Sequence, residues 1–224
     1  ERQTSISNIS TITEDNGKKG KKYMIKVVML GDINVGKTNI IRRLLDQEFQ
    51  EYEATVGVEF GFIEARDIDK DDPNISLSIQ LWDTSGAERY RAITTSHIRN
   101  ADGAFLVYDI NSELSFKALD FWHDSIKKVS GDDLTVYLLG NKLDLALEDR
   151  NLRKVHKDQA MEFYSTHNNI SYWTECSAKK NFNIKETFRA FYKDIYNKQK
   201  AKMEEKTVQH TLMLQPKVQD KKCC

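Results

Sequence analysis

Proline is nearly missing: Pro73 and Pro216 are the only two in 224 residues. Long, unbroken helices and strands are therefore permitted. Cysteine is scarce as well, with Cys176 inside the sequence and Cys223 and Cys224 at its end. No disulfide framework follows from that arrangement, and a reducing cytosol is its natural setting. Net charge is absent, 34 Lys and Arg balancing 34 Asp and Glu, so no overall field points toward nucleic acid. No apolar run reaches the length of a membrane-spanning helix, and no signal-peptide pattern opens the sequence, whose first residue, Glu1, leaves the true start open. The length suits one α/β domain with tails or two small domains.

What is present is organised around Gly31-Asp32-Ile33-Asn34-Val35-Gly36-Lys37-Thr38, which fits the phosphate-binding pattern G-x-x-x-x-G-K-[ST]. Ile25 to Leu30 before it is mostly apolar, as a parallel strand should be, and Asn39 to Leu45 after it has helical spacing. In that setting the glycines let backbone N–H groups turn inward, and the helix N-terminus adds positive potential. Lys37 reaches the phosphates and Thr38 can hold Mg²⁺ through its hydroxyl.

Residues 1–22 are rich in Ser, Thr, Asn, Gly and Lys and read as a disordered arm whose GKKGKK end is a solvated run rather than a lipid contact. Strands are expected over 56–65 and 75–82, joined by an acidic turn at 67–74. With no helix between them, they suggest an antiparallel edge hairpin. Further strands are expected at 104–108, 136–139 and 170–173. Helices are expected around Phe116, Leu119, Trp122, Ile126 and Val129, over 155–167, and through Ile184, Phe188, Phe191 and Ile195. The fold class is α/β, a mostly parallel six-stranded sheet with one antiparallel edge strand and helices on both faces. The boundaries are an arm at 1–22, a domain at 23–198 and a flexible tail at 199–224, with helix fraying through Met203.

Two more motifs follow strands, where ligands of such sheets bind. Asp83-Thr84-Ser85-Gly86 offers a carboxylate for Mg²⁺ and a glycine N–H that can approach a terminal phosphate. Asn141-Lys142-Leu143-Asp144 offers a carboxylate to the paired N1–H and 2-amino donors of guanine, which adenine lacks. Asn and Asp also favour helix caps and loops, so that motif has a plainer reading. Ser177-Ala178-Lys179 can supply backbone N–H groups to the guanine carbonyl.

GDINVGKT, Thr55, DTSG, NKLD and SAK stand in the order found in Ras-like small GTPases, and the resemblance runs from about Met24 to Lys198. Val56 to Phe60, Leu81 to Thr84, Glu88 to Thr94, Leu106 to Ile110 and the paired Cys223-Cys224 resemble the Rab branch. The resemblance implies nucleotide contacts from Asp32, Ile33, Asn34, Val35, Gly36, Lys37, Thr38, Thr55, Gly86, Asn141, Lys142, Asp144, Ser177, Ala178 and Lys179. It implies metal ligation by Thr38, Thr55 and, through water, Asp83. Lys37 and Thr55 would serve hydrolysis. Cys223 and Cys224 would carry geranylgeranyl chains, two being enough for stable attachment. Phe60, Trp82 and His97 would form the surface that effectors read.

The sequence also departs from that pattern. Ala87 replaces the usual Gln, Ile33 and Asn34 replace small residues, and Phe49 lies one residue nearer Thr55 than the aromatic that packs on the base. His97 takes the place of a usual aromatic. The implied function is a GTP/GDP-switched regulator of vesicle traffic with slow intrinsic hydrolysis, its cofactors GTP or GDP and Mg²⁺. The alternatives are a GTP-binding adaptor with little turnover and a P-loop ATPase or kinase, against which NKLD and SAK argue. Partners implied are effectors, an exchange factor, a GTPase-activating protein, a GDP-dissociation inhibitor or escort, and a membrane met through prenyl groups. Nucleic acid is not among them. The expected location is the cytoplasmic face of an intracellular membrane, in exchange with the cytosol.

Overall fold

The computed structural model describes residues 9–15, 18–51, 55, 57–66, 68–88, 91–131 and 133–213. Its core is a sheet in the order β3-β4-β2-β5-β6-β7. Here β1 is Ile9–Asp15, β2 Lys18–Leu30, β3 Val58–Ala65, β4 Ile75–Thr84, β5 Gly103–Asp109, β6 Thr135–Asn141 and β7 Ile170–Glu175. The pairs β2–β4, β2–β5, β5–β6 and β6–β7 are parallel. Edge strand β3 is antiparallel to β4, as expected from two strands with only a turn between them.

Alternation along the central strands builds two cores. Ile25, Val27 and Met29 of β2, Phe105 and Val107 of β5, and Tyr137 and Leu139 of β6 face one side. Val28, Leu30, Leu106, Tyr108, Val136 and Leu138 face the other. The first face is covered by α1 (Lys37–Leu44) and α7 (Lys185–Met213), through Ile40, Ile41, Phe188, Phe191 and Ile195. The second is covered by α2 (Arg91–Ile98), α4 (Leu119–Ser130) and α6 (Lys157–Thr166), while α3 (Glu113–Lys117) and α5 (Leu143–Glu148) are short pieces above the strand ends. Trp122 of α4 is fully buried, a burial of roughly 2–3 kcal/mol. The helical face expected from Phe116 to Val129 is split at Ala118, and Val129 stands at the rim.

Two boundaries need correction. Residues 9–15 and 18–22, expected in a disordered arm, lie in strands: β1 pairs antiparallel with the start of β2. Lys22 and Tyr23 pair with both β1 and β4, so β1 takes the edge of β2 that β5 engages only from Val27 onward. Backbone pairing along an overlong central strand holds this hairpin, which is why no apolar periodicity announced it. Residues 199–213, expected in a flexible tail, continue α7 as helix. Their Lys, Glu, Gln and Met are good helix formers, although they draw no apolar stripe. The stretches 1–8 and 214–224 lie outside the described residues.

The chain order reverses around β2, with β4 on one side and β5 on the other, and the crevice at that reversal is where an open α/β sheet binds its ligand.

Candidate functional site

The loop leaving β2 turns tightly enough to need unusual backbone. Gly36 has φ 95°, and a Cβ there would lie 2.4 Å from Asn141 Nδ2. Asn34 adopts φ 59°, a left-handed conformation that Asn tolerates better than most residues. Lys37 opens α1 and is only 6% exposed, its ammonium donating to the Gly31 and Asp32 carbonyls at 2.9 Å each. Burial pulls its pKa down to about 8, with the Asp83 and Asp32 carboxylates opposing that shift. A cationic side chain is thus held under the loop, where phosphate oxygens would meet it.

Three oxygens converge beside Lys37. Thr38 Oγ1 donates to Asp83 Oδ2 at 2.6 Å and lies 2.9 Å from Thr55 Oγ1. Desolvation pushes the Asp83 carboxyl above its usual range, with Thr38 and Lys37 pulling it back. Its other oxygen, Oδ1, is buried with no hydrogen-bond partner. Such an orphan acceptor is costly unless a ligand meets it. An all-oxygen set of one carboxylate and two hydroxyls suits a hard cation such as Mg²⁺, which takes few protein ligands and relies on phosphates and water for the rest. Among the described residues no group of three or more His, Cys, Asp or Glu gathers into another metal cluster. Gly86 packs on the loop here, since a Cβ would lie 2.4 Å from Ile33 N.

The far wall is assembled by Asn141. Its Nδ2 donates to the Val35 carbonyl at 2.8 Å and its Oδ1 accepts from the Ala178 N–H at 3.0 Å, tying the phosphate loop, β6 and the Ser177–Lys179 loop together. The N–H of Ala178, expected to meet a guanine carbonyl, is therefore engaged by Asn141. Lys142 sits in the left-handed region at φ 66°, its carbonyl held by Asn111 Nδ2 and its ammonium 2.8 Å from Asp109. Asp144 is 5% exposed and accepts from Ser177 Oγ at 2.6 Å. The helix-cap reading of this motif does not hold, because Lys142 occupies the N-cap of α5 and no side chain caps it.

Between these walls lies a cavity of about 370 Å³, reaching from Lys37 and Thr38 to Asp144 and Lys179. Ile33, Asn34, Gly36, Thr55, Gly86, Asn141, Lys142 and Ala178 line it as well, while Asp32, Val35 and Ser177 are not part of the lining. Asn39, Phe49, Gln50, Glu51 and Leu145 also line it and were missed as site residues. Phe49 reaches the wall despite its offset in the sequence. An aromatic in a polar stretch was the available signal for it.

Ala87 follows Gly86, and its N–H meets Ser85 Oγ at 3.3 Å. Ile33 lines the cavity, is 43% exposed, and has its backbone against Gly86. Phe60, Trp82 and His97 form one aromatic row across β3, β4 and α2, with centroid spacings of 5.9 Å and 4.9 Å. Burial and the nearby Lys26 ammonium hold His97 below its usual pKa. Cys223 and Cys224 lie outside the described residues. No described helix is long and apolar enough to cross a membrane.

Residues 26–197 match the Ras family, and the chain belongs to it. Within that family it is a Rab-like small GTPase. It is 37% identical over 177 residues to the Ras-related protein Rab-11C of Dictyostelium discoideum, an alignment covering 79% of this chain and 74% of that protein. Members of the Ras family bind GTP or GDP and Mg²⁺.

Proposed function

We propose that this chain is a GTP/GDP-operated switch of vesicle-mediated membrane traffic. The observation that carries the reading is one cavity lined both by a buried lysine, Lys37, and by the buried Asp144 carboxylate. The lysine suits a polyphosphate and the carboxylate suits the two adjacent donors of guanine. Lys37 would hold the phosphates, and Thr38, Thr55 and Asp83 would hold Mg²⁺, which would neutralise phosphate charge when bound. Thr55 and Gly86 contact the terminal phosphate, so the segments that carry them are ordered only when it is there, and Phe60, Trp82 and His97 present that difference to effectors. Mass analysis of the nucleotide retained after native purification tests the reading. GDP or GTP is expected, and equal competition by ATP and GTP would refute it.

Hydrolysis is slow in this reading because Ala87 has a methyl group where an amide would orient the attacking water. Ile33 adds bulk where an arginine supplied by an activating protein would enter. The same observation favours a second reading, an adaptor that holds GTP with almost no turnover. Single-turnover hydrolysis by the wild type separates the two. Attachment to the cytoplasmic face of a membrane through prenylated Cys223 and Cys224 belongs to the same proposal. Replacing both cysteines by Ser is expected to move the protein to the soluble fraction, and unchanged partition in cells would overturn it.

A further inference from the structure

Helix α1 begins at the phosphate end of the cavity, yet two of its side chains reach the base end. Asn39 and Arg43 lie four residues apart and so share one helix face. Asn39 is buried, its Nδ2 donating to the Gln50 carbonyl at 2.8 Å and its Oδ1 accepting from the Gln50 N–H at 3.1 Å. A carboxamide can serve both sides of one backbone residue in this way because it carries donor and acceptor together. Arg43 donates from Nε to the Ala178 carbonyl at 2.7 Å and from Nη2 to the Lys179 carbonyl at 2.9 Å, a use of its rigid fork that Lys cannot copy. Gln50 adjoins Phe49 in one segment of the cavity wall, and Ala178 and Lys179 form another segment beside Asp144.

We propose that Asn39 and Arg43 are positioning residues for the nucleotide base, together setting the spacing of the two wall segments that grip it. This inference rests on the guanine-nucleotide reading above. Asn39 fixes the segment that holds Phe49 in the wall. Arg43 fixes the Ala178–Lys179 peptide by its oxygen, and in a trans peptide the N–H points the opposite way, so the Lys179 N–H is turned away from α1. Arg43 is not among the residues that line the cavity, and Asn39, which lines it, has its carboxamide engaged on both sides by the Gln50 backbone. Their loss acts on the base grip and leaves the phosphate contacts of Lys37 and Thr38 in place.

The test follows release of a fluorescent GDP and a fluorescent GTP analogue from the full chain. The set is the wild type, Asn39→Ala, Arg43→Ala, Arg43→Lys, Phe49→Ala and Asn39→Ala with Phe49→Ala. Asn39→Ala and Arg43→Ala are each expected to release nucleotide about tenfold faster, the scale of two lost hydrogen bonds. GDP and GTP are affected alike, and Arg43→Lys recovers only part of the loss. In the Phe49→Ala background Asn39→Ala adds little, because both act through one wall segment. Unchanged release in both alanine variants would overturn the proposal, as would a full multiplicative effect of Asn39→Ala on Phe49→Ala, or a loss confined to GTP. If Asn39→Ala does not fold, Arg43→Ala decides, since Arg43 is only half-buried and outside the core. A wild type that retains no guanine nucleotide refutes the functional reading itself, before any variant is compared.

Discussion

The two ends of the parallel strands use the same polar residues in opposite ways. At the C-terminal end, Lys37, Asp83, Asn141 and Asp144 are all nearly buried, and one carboxylate oxygen of Asp83 has no partner. At the N-terminal end, three aspartates from three loops take hold of α7. Asp69 accepts from Tyr196 and Lys200 at 2.9 Å and 2.7 Å, and Asp102 accepts from Gln199 at 2.8 Å. Asp133 accepts from Lys202 at 3.1 Å. These groups are paired, and the lysines reach solvent. Buried polar groups cost stability unless fully satisfied, whereas exposed pairs cost and contribute little. The difference separates a candidate ligand site from a fastening: the first end leaves a buried acceptor open beside a cavity, and the second fixes a helix with groups that are all paired.

The largest expected effect breaks the buried end. Asp144→Asn replaces an acceptor for two guanine donors by an amide that can accept from only one side. The preference for GTP over ATP is expected to fall by about a hundredfold or more, part of the ~10⁴–10⁵ that sites built around buried hydrogen bonds reach. Competition binding with both nucleotides measures it, and an unchanged preference would remove Asp144 from base recognition. Next comes Thr38→Asn, which strips a hydroxyl from the oxygen set at Asp83. GTP affinity is expected to drop relative to GDP by about tenfold, one lost contact's worth. Titration of each nucleotide with Mg²⁺ checks the ratio, and a constant ratio removes Thr38 from the metal site.

A gain comes third. Ala87→Gln restores an amide beside Gly86, and single-turnover hydrolysis is expected to rise by about tenfold, a modest share of what a well-placed group can give. Ile33, which lines the same cavity, is expected to limit the rise by its bulk. If the rate does not move, the slow step is not the orientation of water.

The buried end was legible in the sequence because its parts are short contiguous motifs at strand ends. GDINVGKT, DTSG and NKLD each fold locally, and the sheet merely brings them together. The walls behind them were not legible in the same way. Arg43 meets Ala178 and Lys179 across more than a hundred residues, and nothing near either segment marks the pairing. Phe49 stands one residue off the pattern yet lines the cavity, because a loop absorbs such a shift where a strand could not. The fastened end was misread for the same reason. Asp69, Asp102 and Asp133 come from three separate loops, so the helix they hold past Lys198 has no apolar stripe to announce it. The β1–β2 hairpin is held by backbone pairing, which sequence periodicity does not record.

The smallest expected effect sharpens the fastened end. The hydrogen bond from Lys200 is the main cause holding Asp69 below its ordinary carboxylate value, down to about 2, with help from the Asp71 N–H and the Tyr196 hydroxyl. A carboxyl depressed in the folded state contributes stability that is complete above the unfolded value of 3.8 and lost as pH falls through about 2. The fastening therefore persists at neutral pH and weakens only in strong acid. Because Lys200 reaches solvent and an amide at position 69 can still accept from Tyr196, Asp69→Asn is expected to leave the thermal midpoint of the domain nearly unchanged. Hydrogen exchange along 199–213 should nonetheless speed up several-fold at neutral pH, while exchange in β2, β5 and β6 stays as it was. A carboxyl-observed titration of the wild type supplies the second measurement. A midpoint for Asp69 at the ordinary carboxylate value, or exchange in 199–213 indifferent to the substitution, would mean that α7 holds its last turns by helix propensity alone and that the three aspartates are bystanders.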